Sequence, residues 1–392
     1  MAADSPVLTP TTEPNWSARI PALDGLRGFA ILLVLLRHAV FGVSSVQGIE
    51  SHSRLTFLFL AAGQLTWSGV DLFFVLSGFL IGGILFDARS SRRYFQTFYI
   101  RRAYRILPLY FVVIGLSLLP HVLVQFFPAR AARMSALPLP WWSYLTFTQN
   151  FWMAHRGTFG PSGIGITWSL AIEEQFYLTI PFLIRKVRLR NLGVVLLMII
   201  VCAPWLRVLL HSSMAYPGLA SYVLMPTRAD ALCLGVLAAL LVRTPAFWNW
   251  LRTNTYVVWS LAGLLFVGTC YMTWESYDAL SFPMTTWGFS WLAAFYTCIL
   301  LISILPGNGI VTRILQNKPL MQLGTIAYCS YLIHVAMMNA IRHPLKVQFP
   351  HAPVAAWLTG GLLGMALTLT IASLSYRYFE RPLLRKGHAH QY

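Results

Sequence analysis

The sequence predicts an all-α, polytopic membrane protein of about ten transmembrane helices with both termini on the cytoplasmic side. Three observations predict it. Only 10% of the 392 residues are charged and 57% are hydrophobic, whereas a soluble domain carries about 25% charged residues. A chain this poor in charge cannot solvate a water-facing surface, so lipid is part of its solvent. Apolar runs of about 20 residues, the length that crosses a bilayer as a helix, recur nearly end to end. The basic residues alternate with those runs in a way that fixes one orientation. Length alone would accommodate two soluble domains. The continuity of the apolar runs instead argues for one membrane domain over residues 20–378, with cytoplasmic tails at 1–19 and 379–392.

The expected spans, in order, are Pro21–Phe41, Ser68–Phe86, Ile100–Pro120, Thr167–Ile184, Leu192–Leu210, Thr227–Val242, Thr255–Met272, Trp287–Leu305, Leu320–Ile341 and Val354–Tyr376. With the N-terminus inside, 20 of the 29 Lys and Arg fall on cytoplasmic segments or adjoining span ends, the bias that sets topology. The residues before Ile20 are polar and Pro-rich with no apolar h-region, so no cleavable signal peptide is expected and the first run is retained as a span. The stretch His121–Ile166 is awkward: its aromatic run Trp141–Trp152 is too short to cross. It reads as an outer loop holding an interfacial or re-entrant helix, which either roofs a cavity or anchors the loop at the interface.

The formal net charge is +17. In a soluble protein that would point to nucleic acid; here topology and acidic lipid head groups explain most of it, with an anionic ligand accounting for the rest. The five cysteines all lie in apolar runs with no C-x-x-C pair, so they read as small core residues rather than a metal site or disulfide framework.

Ionisable residues at bilayer depth are costly and mark candidate functional positions. In the first span, Arg27 and His38 lie eleven residues apart; eleven helical steps come to about 20° past three full turns and rise ~16 Å, which puts both on one face. That stripe can hold an anion at the inner end and chemistry at the other. The neighbouring Arg37 points about 100° away. In the second span, Ser77-Gly78-Phe79 and Gly82-Gly83 thin the helix, either for close helix packing or as a wall admitting a long thin ligand. Asp71 is too polar to face lipid. The third span opens with Arg102 and Arg105, three apart on one helical face, beside Arg89, Arg92 and Arg93. The pair suits phosphate, which a guanidinium grips with its planar fork.

The fourth span opens at Trp168 and carries Glu173 and Glu174. Adjacent residues diverge by about 100°, so only one of them faces a given cavity. Arg228 and Asp230 begin the sixth span, His334 lies within the ninth, and Glu380 follows the tenth.

The segments LDGLRGFAILLVLLRHA, GVDLFFVLSGFLIG, FYIRRAYRILPLY, TWSLAIEEQFYL, TRADALCLG, AYCSYLIH and YRYFERP, taken in order over nearly the whole chain, resemble the membrane-bound acyltransferase 3 family. That family includes bacterial O-acyltransferases of surface polysaccharides and of macrolide sugars. The resemblance implies a ten-helix acyltransferase domain in the bacterial cytoplasmic membrane, fed by cytoplasmic acyl-CoA, most commonly acetyl-CoA. It maps an Arg-x10-His signature onto Arg27 and His38 and an R-x-x-R signature onto Arg102 and Arg105. It also supports roles for Ser77-Gly78-Phe79 and for Glu173 and Glu174.

On this reading His38, Glu173 and Glu174 are catalytic. Arg27, Arg102, Arg105, Ser77, Gly78 and Phe79 bind the donor. Asp71, Trp168, Arg228, Asp230 and His334 are candidate lining residues, and no metal is required. His38 either takes a proton from the acceptor hydroxyl or accepts the acyl group itself, with a carboxylate orienting the ring. The acceptor is a surface polysaccharide or lipid-linked sugar, or alternatively a macrolide or other secondary-metabolite sugar. Some relatives carry a further hydrolase-like domain. This chain stops soon after its last span, so it is expected to act alone or with a separate partner. A multi-pass transporter, whose buried charges relay protons or bind cargo, is the non-enzymatic alternative; inverted repeats would support it and none stands out.

Overall fold

The computed structural model describes residues 16, 19–42, 63, 65–123, 139–275, 278–306 and 309–392, with backbone alone at 120–123, and among these residues it contains helices and no strand. Helix α1 (Pro21–Ala39) starts on a proline, where the missing N–H costs no helical bond. A 3₁₀ turn leads into α2 (Gly69–Asp87), and α3 (Tyr94–Leu123) follows. Two short helices, α4 (Trp141–Leu145) and α5 (Gln149–Arg156), precede α6 (Trp168–Lys186). Next come α7 (Leu189–Ser213), α8 (Pro217–Val223), α9 (Met225–Val242), α10 (Pro245–Thr253) and α11 (Thr255–Trp274). A π turn at Met284–Gly288 opens α12 (Phe289–Ile304), followed by α13 (Ile310–Leu315), α14 (Lys318–Thr325), α15 (Ala327–Gln348) and α16 (Pro353–Ser375). A second π turn at Tyr376–Glu380 leads into α17 (Arg381–His388).

Among the described residues, seven helical stretches are long and apolar enough to cross a membrane, and an eighth forms if α14 and α15, which meet at 76°, make one broken span. The expectation was about ten. The shortfall lies in α1, which carries Asp24, Arg27 and Arg37, and in α6, which carries Glu173, Glu174, Arg185 and Lys186. Both are helices of 19 residues, and their charge is what separates them from the rest.

The helices sort into an inner group and an outer ring. The span containing α2 has 72% of its window buried inside the protein, against 22% for α7. The outer helices turn Trp205, Leu209, Leu264 and Phe266 outward, where lipid is the only favourable neighbour. At the centre α2 and α9 meet through glycine. A Cβ on Gly78 would stand 2.0 Å from the carbonyl oxygen of Leu232, and one on Gly235 would stand 2.0 Å from that of Val75. Helix α1 packs as closely on α14, where a Cβ on Gly324 would stand 2.0 Å from the carbonyl oxygen of Asp24. Without a hydrophobic drive between helices in lipid, such close backbone approach supplies the packing attraction.

Part of the expected outer loop lies outside the described residues. The rest is α4, α5 and the turns around them, and exposed Trp141, Trp142 and Phe151 suit an interfacial anchor. It is tied to the bundle: Tyr110 donates to the Tyr144 carbonyl oxygen (2.8 Å), and the Asn150 and Gln175 amides pair reciprocally. The cysteines are all free, but only Cys233, Cys298 and Cys329 are buried. Cys202 and Cys270 are exposed on the outer helices, so the expectation of five core cysteines is corrected.

Candidate active site

Helix α2 is buried along most of its surface, yet Phe73, Ser77, Leu80 and Ile84 stay partly open. Steps of four, three and four place them on one stripe. That stripe is a wall of a cavity of about 430 Å³ bordered by α1, α2, α3, α6, α14, α15 and the Tyr376–Glu380 turn. Lining runs along α2 from Val70 to Ile84, which is about 21 Å of helix. The wall is apolar for much of its length, with Phe74, Ile81, Ile106 and Leu170.

Its polar groups converge from helices across the bundle and from the Tyr376–Glu380 turn. Arg27 of α1 and Arg102 and Arg105 of α3 all line it, with Arg19 beside them. Arg27 pairs with Asp24 at 3.0 Å, and Asp24 also takes Arg19 at 2.6 Å. Arg102 Nε is buried with no hydrogen-bond partner among the described residues, and neither Arg102 nor Arg105 has an ion pair there. Guanidiniums left without protein carboxylates are what an anionic ligand would find.

From α6, Glu173 lines the cavity and Glu174 does not. Tyr177, one turn on, donates to Glu173 Oε2 at 3.2 Å and is joined to Ser77 of α2 by a short hydrogen bond. Ser77, Tyr177 and Glu173 thus form one hydroxyl–carboxylate chain on the cavity wall. Glu174 turns away, and its Oε1 is buried without a partner among the described residues. The 100° divergence of adjacent helical residues decides between them. On the far wall Glu380 accepts from Ser375 Oγ at 3.1 Å and faces the same space, as do Tyr328, Tyr331 and Tyr376.

His38 is not among the lining residues. The cavity's last aromatic on α15 is Tyr331, whose hydroxyl donates to the Ile166 carbonyl oxygen (3.1 Å) and lies 2.6 Å from Ser169 Oγ. One turn past it, His334 is fully buried, and its ring lies 4.8 Å, centroid to centroid, from that of His38. The imidazole pair therefore sits just beyond Tyr331. Neither Glu173 nor Glu174 hydrogen-bonds His38 among the described residues, so the expected carboxylate partner is replaced by a second imidazole. The backbone at the end of α1 is held by Arg342, which donates to the carbonyl oxygens of His38 (2.6 Å) and Ala39 (3.1 Å) and stacks over Trp357 at 3.8 Å.

Several expectations change. Gly78 and Phe79 are packing residues rather than cavity wall, because Gly78 is spent on the contact with α9 and Phe79 is 3% exposed. Asp71, Trp168, Arg228 and Asp230 do not line the cavity. Asp71 and Arg228 form a buried ion pair between α2 and α9, and Arg228 lies 3.8 Å over the Phe289 ring. Asp230 pairs with Arg207 at 2.9 Å and accepts from Ser290 at 2.5 Å. Trp168 packs on Tyr222 beside this cluster. Arg89, expected in the cationic patch, donates instead to the carbonyl oxygens of Ile184 and Val187 at the end of α6.

Sequence reading passed over Asp24 and Tyr177 as site residues, although each stands one helical turn from a residue it did single out. It also passed over Arg207, an ionisable residue inside an apolar run, and the wall role of Glu380 and Tyr331, which only tertiary packing reveals.

Comparison with known proteins agrees with the ordered motifs. Residues 20–377 match the family model described as an acyltransferase domain, that of acyltransferase family 3. The chain is 27% identical over 386 residues to the peptidoglycan O-acetyltransferase OatA of Listeria monocytogenes, covering 94% of this chain and 56% of that protein. It is 29% identical over 390 residues to the putative peptidoglycan O-acetyltransferase YrhL of Bacillus subtilis, covering 94% and 55%. To the O-acetyltransferase OatA of Staphylococcus aureus it is 27% identical over 398 residues, covering 96% and 59%. The chain thus spans little more than half the length of these relatives. No solved structure matches it significantly.

Proposed function

The chain belongs to the acyltransferase 3 family, and from that premise we propose that it is an integral membrane O-acetyltransferase carrying acetyl from cytoplasmic acetyl-CoA to a hydroxyl of a cell-wall glycan. The observation that carries the donor half of this reading is the cavity along α2, narrow and apolar, with Arg27, Arg102 and Arg105 on its wall. A nucleotide thioester has that shape: a polyanionic head and a thin arm ending in the reactive carbonyl. The names of the relatives, peptidoglycan O-acetyltransferases, support peptidoglycan as the first acceptor to try. The bacterial cytoplasmic membrane, ten spans and cytoplasmic termini complete the reading, with α1 and α6 crossing as charged inner helices.

In this mechanism the three guanidiniums hold the donor phosphates. The arm lies against Phe73, Ser77 and Leu80, and the Ser77–Tyr177–Glu173 chain offers hydroxyls toward the thioester. His38, beyond Tyr331, takes the acceptor's hydroxyl proton as the oxygen attacks the carbonyl carbon. The carbon–sulfur bond breaks, and the leaving thiolate takes a proton from the imidazolium.

The test is the purified protein in liposomes with radiolabelled acetyl-CoA and soluble peptidoglycan fragments. The expected result is label in the glycan with one free thiol released per acetyl moved. Vesicles that move either compound across the bilayer without releasing thiol would be those of a transporter, and the reading would fall. The His38→Ala variant is expected to insert normally and to lose transfer; full activity in it refutes the role given to His38.

A further inference from the structure

Outside the cavity the most unusual group is His334. It is fully buried, its Nδ1 lies 2.7 Å from the carbonyl oxygen of Tyr331, and its Nε2 has no hydrogen-bond partner among the described residues. A carbonyl oxygen only accepts, so Nδ1 carries the hydrogen and the neutral ring presents Nε2 as a lone-pair acceptor. A buried acceptor without a donor is costly and invites a functional explanation. The group next to it is His38, with ring centroids 4.8 Å apart and planes tilted by 60°. The two rings are not hydrogen-bonded as they stand, but a centroid separation of 4.8 Å is close to that of two imidazoles joined by an N–H···N bond of about 2.9 Å.

Position along α15 makes the same point. Ala327, Tyr328 and Tyr331 line the cavity, and His334 continues that face by one more turn. The pair therefore stands at the end of the cavity's own stripe.

We propose that His334 is a positioning residue for transfer: its Nε2 accepts the N–H of His38, fixing the His38 tautomer so that the opposite nitrogen is the base. This rests on the acyltransferase reading of the site. As the acceptor oxygen attacks the thioester carbon, its proton passes to the unprotonated nitrogen of His38. The resulting imidazolium keeps its other N–H on His334 Nε2, which spreads the positive charge over two rings. When the carbon–sulfur bond breaks, His38 returns that proton to the thiolate and is neutral again. In many hydrolytic triads a carboxylate orients the imidazole; here a neutral imidazole does so, locked by a backbone carbonyl.

The experiment uses the full chain in nanodiscs, with histidine ring nitrogens labelled by ¹⁵N and the His38 signals identified by their loss in His38→Ala. The wild-type protein is expected to show His38 as one neutral tautomer, and His334→Ala a mixture of the two. Where alanine unfolds the bundle, His334→Leu fills the space without an acceptor and gives the same reading. In transfer assays His334→Ala is expected to lower kcat about 10- to 100-fold, the range seen when a metal-bound histidine loses its outer hydrogen-bond partner, with the donor KM within about twofold. A single His38 tautomer that persists in the folded variant overturns the pairing, whatever the turnover. Failure of the wild-type protein to transfer acyl groups would instead overturn the proposed function, and the nitrogen spectra still decide the pairing.

Discussion

Single residues on the cavity wall do separable jobs. Arg102 has a buried Nε without a partner among the described residues, so under the proposed function Arg102→Ala removes a bond to the donor rather than one holding the fold. A charge-assisted hydrogen bond contributes about 1.5–3 kcal/mol, and donor affinity measured by titration is expected to fall about 10- to 150-fold. An unchanged affinity would remove Arg102 from the donor site. The two adjacent carboxylates give a sharper contrast. Glu173 faces the cavity through Tyr177 and Glu174 does not, so Glu173→Gln is expected to cut transfer about tenfold or more, and Glu174→Gln far less. Equal losses in a transfer assay would undo the assignment. The sequence could say that one carboxylate must turn away, since that follows from helical rotation. It could not say which, because that depends on where Ser77 of α2 lies across the cavity. His38 shows the same limit: its place on α1 was legible, but the imidazole beside it comes from α15, nearly 300 positions along the chain.

At the scale of elements, glycines decide whether helices can touch. Gly78→Ala would put a methyl group against backbone of α9, and backbone cannot rotate aside. Forced overpacking costs about 1–3 kcal/mol, so thermal unfolding in detergent is expected at a distinctly lower temperature. Gly115 on α3 is the matched control, with nothing within 4 Å of an added Cβ; Gly115→Ala is expected to be neutral or slightly stabilising, since alanine favours helix. Similar losses in both variants would show that helix propensity, not contact, governs. Most helices were legible as apolar runs with basic flanks. The break between α14 and α15 was not, because the apolar run continues through Ile326 and no proline marks the bend. The glycines carried two readings from sequence, packing or ligand wall, and only the facing helix separates them.

For the molecule as a whole, two buried charge pairs among the described residues fasten the bundle. Asp71–Arg228 joins α2 to α9, and Arg207–Asp230 joins α7 to α9. Breaking a buried pair from one side leaves an uncompensated charge and costs about 3–5 kcal/mol. Asp71→Asn is therefore expected to lower detergent stability and yield strongly, and adding Arg228→Met to restore much of both. No recovery in the double variant would mean that Asp71 does something besides neutralise Arg228. From sequence these residues looked like site candidates, since ionisable groups in lipid are so often functional. Their partners, chiefly Arg207, come from other helices, and the pairing turns them into fasteners.

Under the proposed function, in which Arg27 holds the donor phosphates, the Asp24–Arg27 pair has a kinetic consequence. An aspartate already bound to the guanidinium is a built-in rival for any incoming phosphate: it weakens capture, but it also reclaims the arginine once the spent thiol loosens. Asp24→Asn should then hold donor and by-product alike for longer, so that rapid-mixing traces show a fast first turnover followed by slow ones.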